Sequence, residues 1–223
     1  MDTKGACCTG FINKVAVVEG VQRAYVLYVP RDYTPNKAWP LIVSLHGVGE
    51  RGDDGLFQTE VGIGRAIRRH ADRFPCLVLM PQCSDKGFWD ESIGDIEVSM
   101  ANVRKEYNVD AARIYLTGLS MGGLATWTYG AQHTDLFAAL MPICGGGKVE
   151  DAAALAKIPI WALHGAADAI VPPKKSQEMV EAVRAAGGAV KHTEFPGVNH
   201  NSWDAAYDDP KTIKWLLEQR KDK

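Results

Sequence analysis

No stretch of this sequence approaches the roughly 18 uninterrupted apolar residues of a membrane-spanning helix, so no membrane insertion is expected. No block of like charge is long enough to hold a nucleic acid or an anionic surface. Lys and Arg number 25 against 27 Asp and Glu, a net charge of −2. No Cys-x-x-Cys pair occurs, and no metal site is expected. The opening residues, MDTKGACCTGF, lack a basic segment followed by an apolar core, so they do not read as a signal peptide. That leaves the compartment open between the cytoplasm and a secreted form whose leader has been removed. The cysteines are odd in number. Cys76 and Cys144 lie in apolar runs and read as buried free thiols, whereas Cys7, Cys8 and Cys83 leave room for a disulfide that the sequence does not decide. Internal repeats, low-complexity tracts and linkers are also missing.

What is present fits one domain over residues 1–223, with residues 1–20 an N-terminal extension or edge strand. Hydrophobic residues make up 46% of the 223 positions, enough for a sizeable core without staples. Short apolar runs at 23–29, 41–45, 76–80, 113–117, 138–143, 158–163 and 190–195 read as strands, most of them apolar on both faces. Between them lie helical stripes. Ile63, Ala66, Ile67 and His70 form one, with Thr59 as its cap. Ile96, Met100, Val103 and Tyr107 form another after Asp95. Met179, Val180 and Val183 follow Pro172-Pro173, and a last helix starts at Asp209-Pro210. Alternation of this kind predicts an α/β fold: a mostly parallel central sheet with helices on both faces.

The sharpest signal is Gly118-Leu119-Ser120-Met121-Gly122, a Gly-x-Ser-x-Gly turn between a strand and a helix predicted over residues 121–133. Such a turn pushes the serine hydroxyl above the sheet edge and aims helix N–H groups at a developing anion. A serine nucleophile needs a base. Of six histidines, His70 and His133 end helices, His46 and His164 sit between a strand and a glycine and hold loop geometry, and His192 lies inside a strand. His200 stands in a polar loop after the strand 190–195, where parallel sheets place reactive groups. Asp168, after the strand 158–163, completes the Ser…Asp…His chain order and is preferred to Asp204, Asp208 and Asp90. Met121 and Val48 are the expected oxyanion donors, Val48 from the glycine-rich loop His46–Gly52. No Gly-Lys-Ser/Thr ends that loop, so it is not a phosphate cradle. Trp89 and Trp203 are candidate walls of a substrate pocket.

Together, Tyr28-Val29-Pro30, the HGVGERG loop, Pro81-Gln82-Cys83, GLSMGG, LHGAADAIVP and the His200 loop resemble the α/β-hydrolase superfamily from about Arg23 to Trp215. The sequence is most similar to small bacterial esterases of the feruloyl esterase, esterase D and polyhydroxybutyrate-depolymerase-like branch. The resemblance implies Ser120 as nucleophile, Asp168 as acid and His200 as base, with no cofactor. Dienelactone hydrolases share the fold but carry cysteine as nucleophile, so Ser120 argues against them. The segment between Ile143 and Ile158 is too short for the helical cap that many lipases insert there. The expectation is therefore a serine carboxylesterase without a cap domain, acting through an acyl-enzyme on a small-molecule ester with a short acyl chain or small alcohol. A peptidase or acyltransferase on the same fold is the enzymatic alternative. A non-catalytic binding protein on a hydrolase scaffold is the other, and loss of Ser, Asp or His would be its mark. Oligomeric state is not legible.

Overall fold

The computed structural model describes residues 8–221. Its strands are β1 (Gly10–Val18), β2 (Val21–Val29), β3 (Trp39–Leu45), β4 (Leu77–Pro81), β5 (Val109–Leu119), β6 (Ala139–Ile143), β7 (Ile160–Gly165) and β8 (Val190–Phe195). They make one eight-stranded sheet in the order β1-β2-β4-β3-β5-β6-β7-β8. β1 and β2 are an antiparallel hairpin laid antiparallel on β4, and every other pairing is parallel. The hairpin turns at Glu19 and Gly20, both with positive φ (50° and 81°), the turn hand that matches strand twist.

Side chains alternate across the sheet. Leu41, Val43 and Leu45 face one layer, together with Leu77, Leu79 and Leu116; Ile42, Val78 and Tyr115 face the other. On the first face lie α2 (Ile93–Glu106), α3 (Met121–Gln132), α4 (Ala152–Leu155) and α5 (Lys174–Ala185). They bury Ile96, Val103, Trp127, Leu155 and Val183. On the second lie α1 (Gly62–Arg69), α6 (Ser202–Asp208) and α7 (Pro210–Glu218), burying Ile67, Tyr207, Ile213 and Leu216. Helices on both faces explain why the central strands read as unbroken apolar runs. Each such side chain, fully buried, stabilises the fold by about 1.5–3 kcal/mol.

Several expectations shift in detail. β1 holds the outer edge of the sheet, with Val15 and Val17 exposed and Ala16 buried between them. β5 is longer than its apolar stretch, because Val109 already pairs with Trp39 beyond a register shift. Thr59 does not cap α1. Gly62, at φ 56°, starts the helix afresh after Val61, and the Thr59 hydroxyl donates to Leu56 O instead. At the far end, Asp209 does cap α7, accepting from the Lys211 amide at 2.9 Å. The stretch between β6 and β7 holds only a short turn and α4, and no helical cap is inserted there.

Candidate active site

Ser120 sits where β5 turns into α3, at φ 53° and ψ −115°, a backbone that L-residues rarely adopt. The flanking glycines are required by the crowding this turn creates. A Cβ on Gly118 would stand 2.3 Å from Gly122 O, and one on Gly122 would stand 2.0 Å from Leu45 O. The Ser120 amide is held by Ile143 O (3.0 Å) and by Cys144 Sγ (3.2 Å). Burial pushes the Cys144 thiol up to about 12, so this neighbouring sulfur stays protonated.

His200 Nε2 lies 2.9 Å from Ser120 Oγ, and its Nδ1 lies 2.7 Å from Asp168 Oδ2. The Trp203 ring stands edge-on to the imidazole at 5.5 Å. The His200 loop presses against the end of β7: a Cβ on Gly165 would be 2.1 Å from Asn199 O. Asp168 is buried and well satisfied. Its Oδ1 accepts from the Ile170 and Val171 amides at 2.9 and 3.0 Å, and His164 Nε2 is 3.2 Å from Oδ2. Burial opposes ionisation of this carboxyl, but the His200 ring and the two amides outweigh it and hold its pKa below the ordinary value. The rival carboxylates are elsewhere: Asp204 pairs with Arg65, Asp208 pairs with Arg69, and Asp90 is exposed.

Met121 is the first residue of α3, so its amide is among those with no acceptor inside the helix. The loop after β3 runs against the serine, since a Cβ on Gly47 would be 3.5 Å from Ser120 Cβ. The Gly47 amide donates to Glu50 Oε2 at 3.0 Å, and Val48, the next residue, opens a short turn. His46 pins this loop. Its Nδ1 donates to Gly47 O (2.6 Å), its Nε2 accepts from the Cys83 amide (2.9 Å), and Trp89 Nε1 donates to His46 O (3.0 Å). Trp89 is buried and also lines a cavity of about 380 Å³ beside Met121. Trp203 is absent from that lining; it packs on His200 instead.

Cys8, Cys76, Cys83 and Cys144 are free thiols, so Cys83 forms no disulfide with Cys8; Cys7 lies outside the described residues. One potential metal-ligand group occurs among the described residues. Cys144, Asp168 and His200 offer atoms within 4.8 Å of one another, but the last two are hydrogen-bonded together and the thiol is protonated.

The profile of the dienelactone hydrolase family matches residues 68–210, well over half of the chain. The chain belongs to the dienelactone hydrolase family. This corrects the expectation that Ser120 would argue against that family. The match runs through residues 118–122, so a serine in this turn is compatible with the family. A solved thermostable esterase is 36% identical with a TM-score of 0.87, over 95% of this chain and 63% of that one, and the fold is that of the α/β-hydrolases. A bifunctional acetylxylan esterase/xylanase of Neocallimastix patriciarum is 29% identical over 72% of this chain and 23% of its own length. Acetylxylan esterase A of Emericella nidulans is 29% identical over 54% and 41%. The chain thus spans less than half the length of these two curated relatives.

Two outcomes follow from this packing. Gly122→Ala should lose about 3 kcal/mol or more of stability in urea unfolding; a variant as stable as the parent would show that α3 does not press on β3. Burial, more than the Arg51 charge and against the Gly47 hydrogen bond, depresses the His46 pKa from 6.5 to about 4. The unfolded chain therefore binds the proton first, and stability present above the ordinary value is lost as pH falls from about 6.5 towards about 4, by roughly 3 kcal/mol in all. His46→Gln should flatten that slope, read from urea midpoints at neutral and acid pH. Parallel slopes in the two proteins would remove His46 as its source.

Proposed function

We propose that this protein is a serine carboxylesterase working through an acyl-enzyme, with Ser120 as nucleophile, His200 as base and Asp168 as its orienting carboxylate. The observation that carries the reading is the continuous relay from the strained serine through His200 to Asp168, at 2.9 and 2.7 Å. Ser120 Oγ attacks the ester carbonyl carbon while His200 Nε2 takes its proton. Asp168, kept ionised by its amide donors, steadies the imidazolium and fixes Nδ1–H as the proton facing it. The Met121 and Val48 amides receive the oxyanion. His200 then returns the proton to the leaving alcohol oxygen. A water, deprotonated by the same nitrogen, releases the acid and restores the serine. Family membership and the esterase relatives support this chemistry over peptide cleavage.

The substrates we propose are small-molecule esters with a short acyl chain or a small alcohol. The short β6–β7 connection supports this, since it adds no helical cap over the site, and extra methylenes stabilise only where a wall buries them. Ser120→Ala should lower turnover of a short-chain nitrophenyl ester by about 10⁴-fold or more and abolish labelling by a fluorophosphonate. A folded alanine variant that keeps more than about a hundredth of the parent rate would show that Ser120 is not the nucleophile.

A further inference from the structure

The 380 Å³ cavity opens beside Met121 and follows one face of α3 past Leu124 and Tyr129 to Gln132. At 1.5 Å per residue, that floor is about 16 Å long. Its chemistry changes along the way: Met121, Leu124 and Ala125 are apolar, whereas Thr128, Tyr129 and Gln132 are polar. Trp89 and Ile93 form part of the opposite wall. The Tyr129 hydroxyl is the unusual atom. The residue is 3% exposed, and its oxygen has no hydrogen-bond partner. Leaving a buried hydroxyl unpaired costs about 1–3 kcal/mol. Burial, aided by the Glu97 charge, pushes this phenol up to about 12, so it is a proton donor at any ordinary working pH.

The sheet order decides which half of an ester enters. β3 and β4 lie on one side of β5, and β8 lies on the other. The wall opposite α3, from Phe88 to Ile96, follows β4, so most of the cavity is on the β4 side, with Lys148 after β6 at its other edge, while His200 arrives from β8. The leaving alcohol must take its proton from His200 and therefore lies towards β8. The acyl group is left facing the cavity. Tyr129 is about 12 Å along the helix from Met121, and helical side chains lean back towards the N-terminus.

From the esterase reading above, we infer that this cavity is an acyl subsite in which the Tyr129 hydroxyl pairs with an oxygen carried about 6–10 Å from the acyl carbonyl carbon. A hydroxyl, ether or carbonyl oxygen there would satisfy the phenol. A plain alkyl end would leave it unpaired among polar neighbours, so the subsite selects small oxygenated acids over fatty chains of the same reach.

Two matched pairs of methyl esters test this: hexanoate with 6-hydroxyhexanoate, and 3-phenylpropanoate with 3-(4-hydroxyphenyl)propanoate. In the parent, the oxygen-bearing member of each pair should have the higher kcat/KM, and Tyr129→Phe should shrink that ratio about 5–10-fold. Binding of 4-ethylphenol against ethylbenzene, followed by tryptophan fluorescence, should show the same loss of preference without any chemistry. Tyr129→Phe should also melt no lower than the parent, because the hydroxyl it removes has no partner inside the protein. Ester turnover with both ratios unchanged by the substitution overturns the subsite and leaves the esterase reading intact. Retained preference for ethylphenol in a parent that cleaves no ester upholds the subsite and overturns the esterase reading.

Discussion

The close approach of α3 to the ends of β3 and β6 is the constraint on which the site rests. Backbone meets backbone at Gly122 against Leu45 and at Gly123 against Ile143, contacts with no room for a single methyl group. That compression forces Ser120 into its left-handed conformation and lifts its hydroxyl out of the sheet edge. It also brings the β3 loop beside the serine. The strain is sustained because buried side chains from both layers of the core hold these strands and the helix in place.

Around that point the parts are supplied by separate strands, and each is fixed by a local device. The Ser120 amide is fastened to β6, Asp168 is held by the two amides that follow it, and His46 ties the β3 loop to the β4 loop. Little of this depends on surface ion pairs. The stiffness comes from short backbone hydrogen bonds and from glycines that let main chains touch.

Much of this was legible in the sequence because one pattern carries both fold and chemistry. The apolar runs ending at Leu45, Thr117 and Leu163 are each followed by a polar or glycine-rich segment, and parallel strands bring those segments to one rim. Ser120 and Asp168 could be picked out for that reason, and His200 from the polar loop after the strand 190–195. β1 was only half legible, because an edge strand with one solvated face carries a short alternating signal. Thr59 misled because a glycine with positive φ intervened before the helix began. The contact of His164 with Asp168 left only a faint trace, a histidine before a glycine at a strand end. The unpaired Tyr129 hydroxyl left none, since an aromatic at helical spacing reads simply as core.

Ser120 and His200 are rooted at very different depths. The end of β5 that carries Ser120 is wholly buried, while β8, which leads to His200, is an edge strand buried only in part along its length. Local opening is easiest where burial is least. On the proposed assignment, His200 can therefore come loose while Ser120 remains mounted in an intact core, and warming uncouples the pair before it melts the fold. Any activity that needs both residues then has a lower thermal ceiling than the fold, set by one peripheral strand rather than by the centre of the sheet.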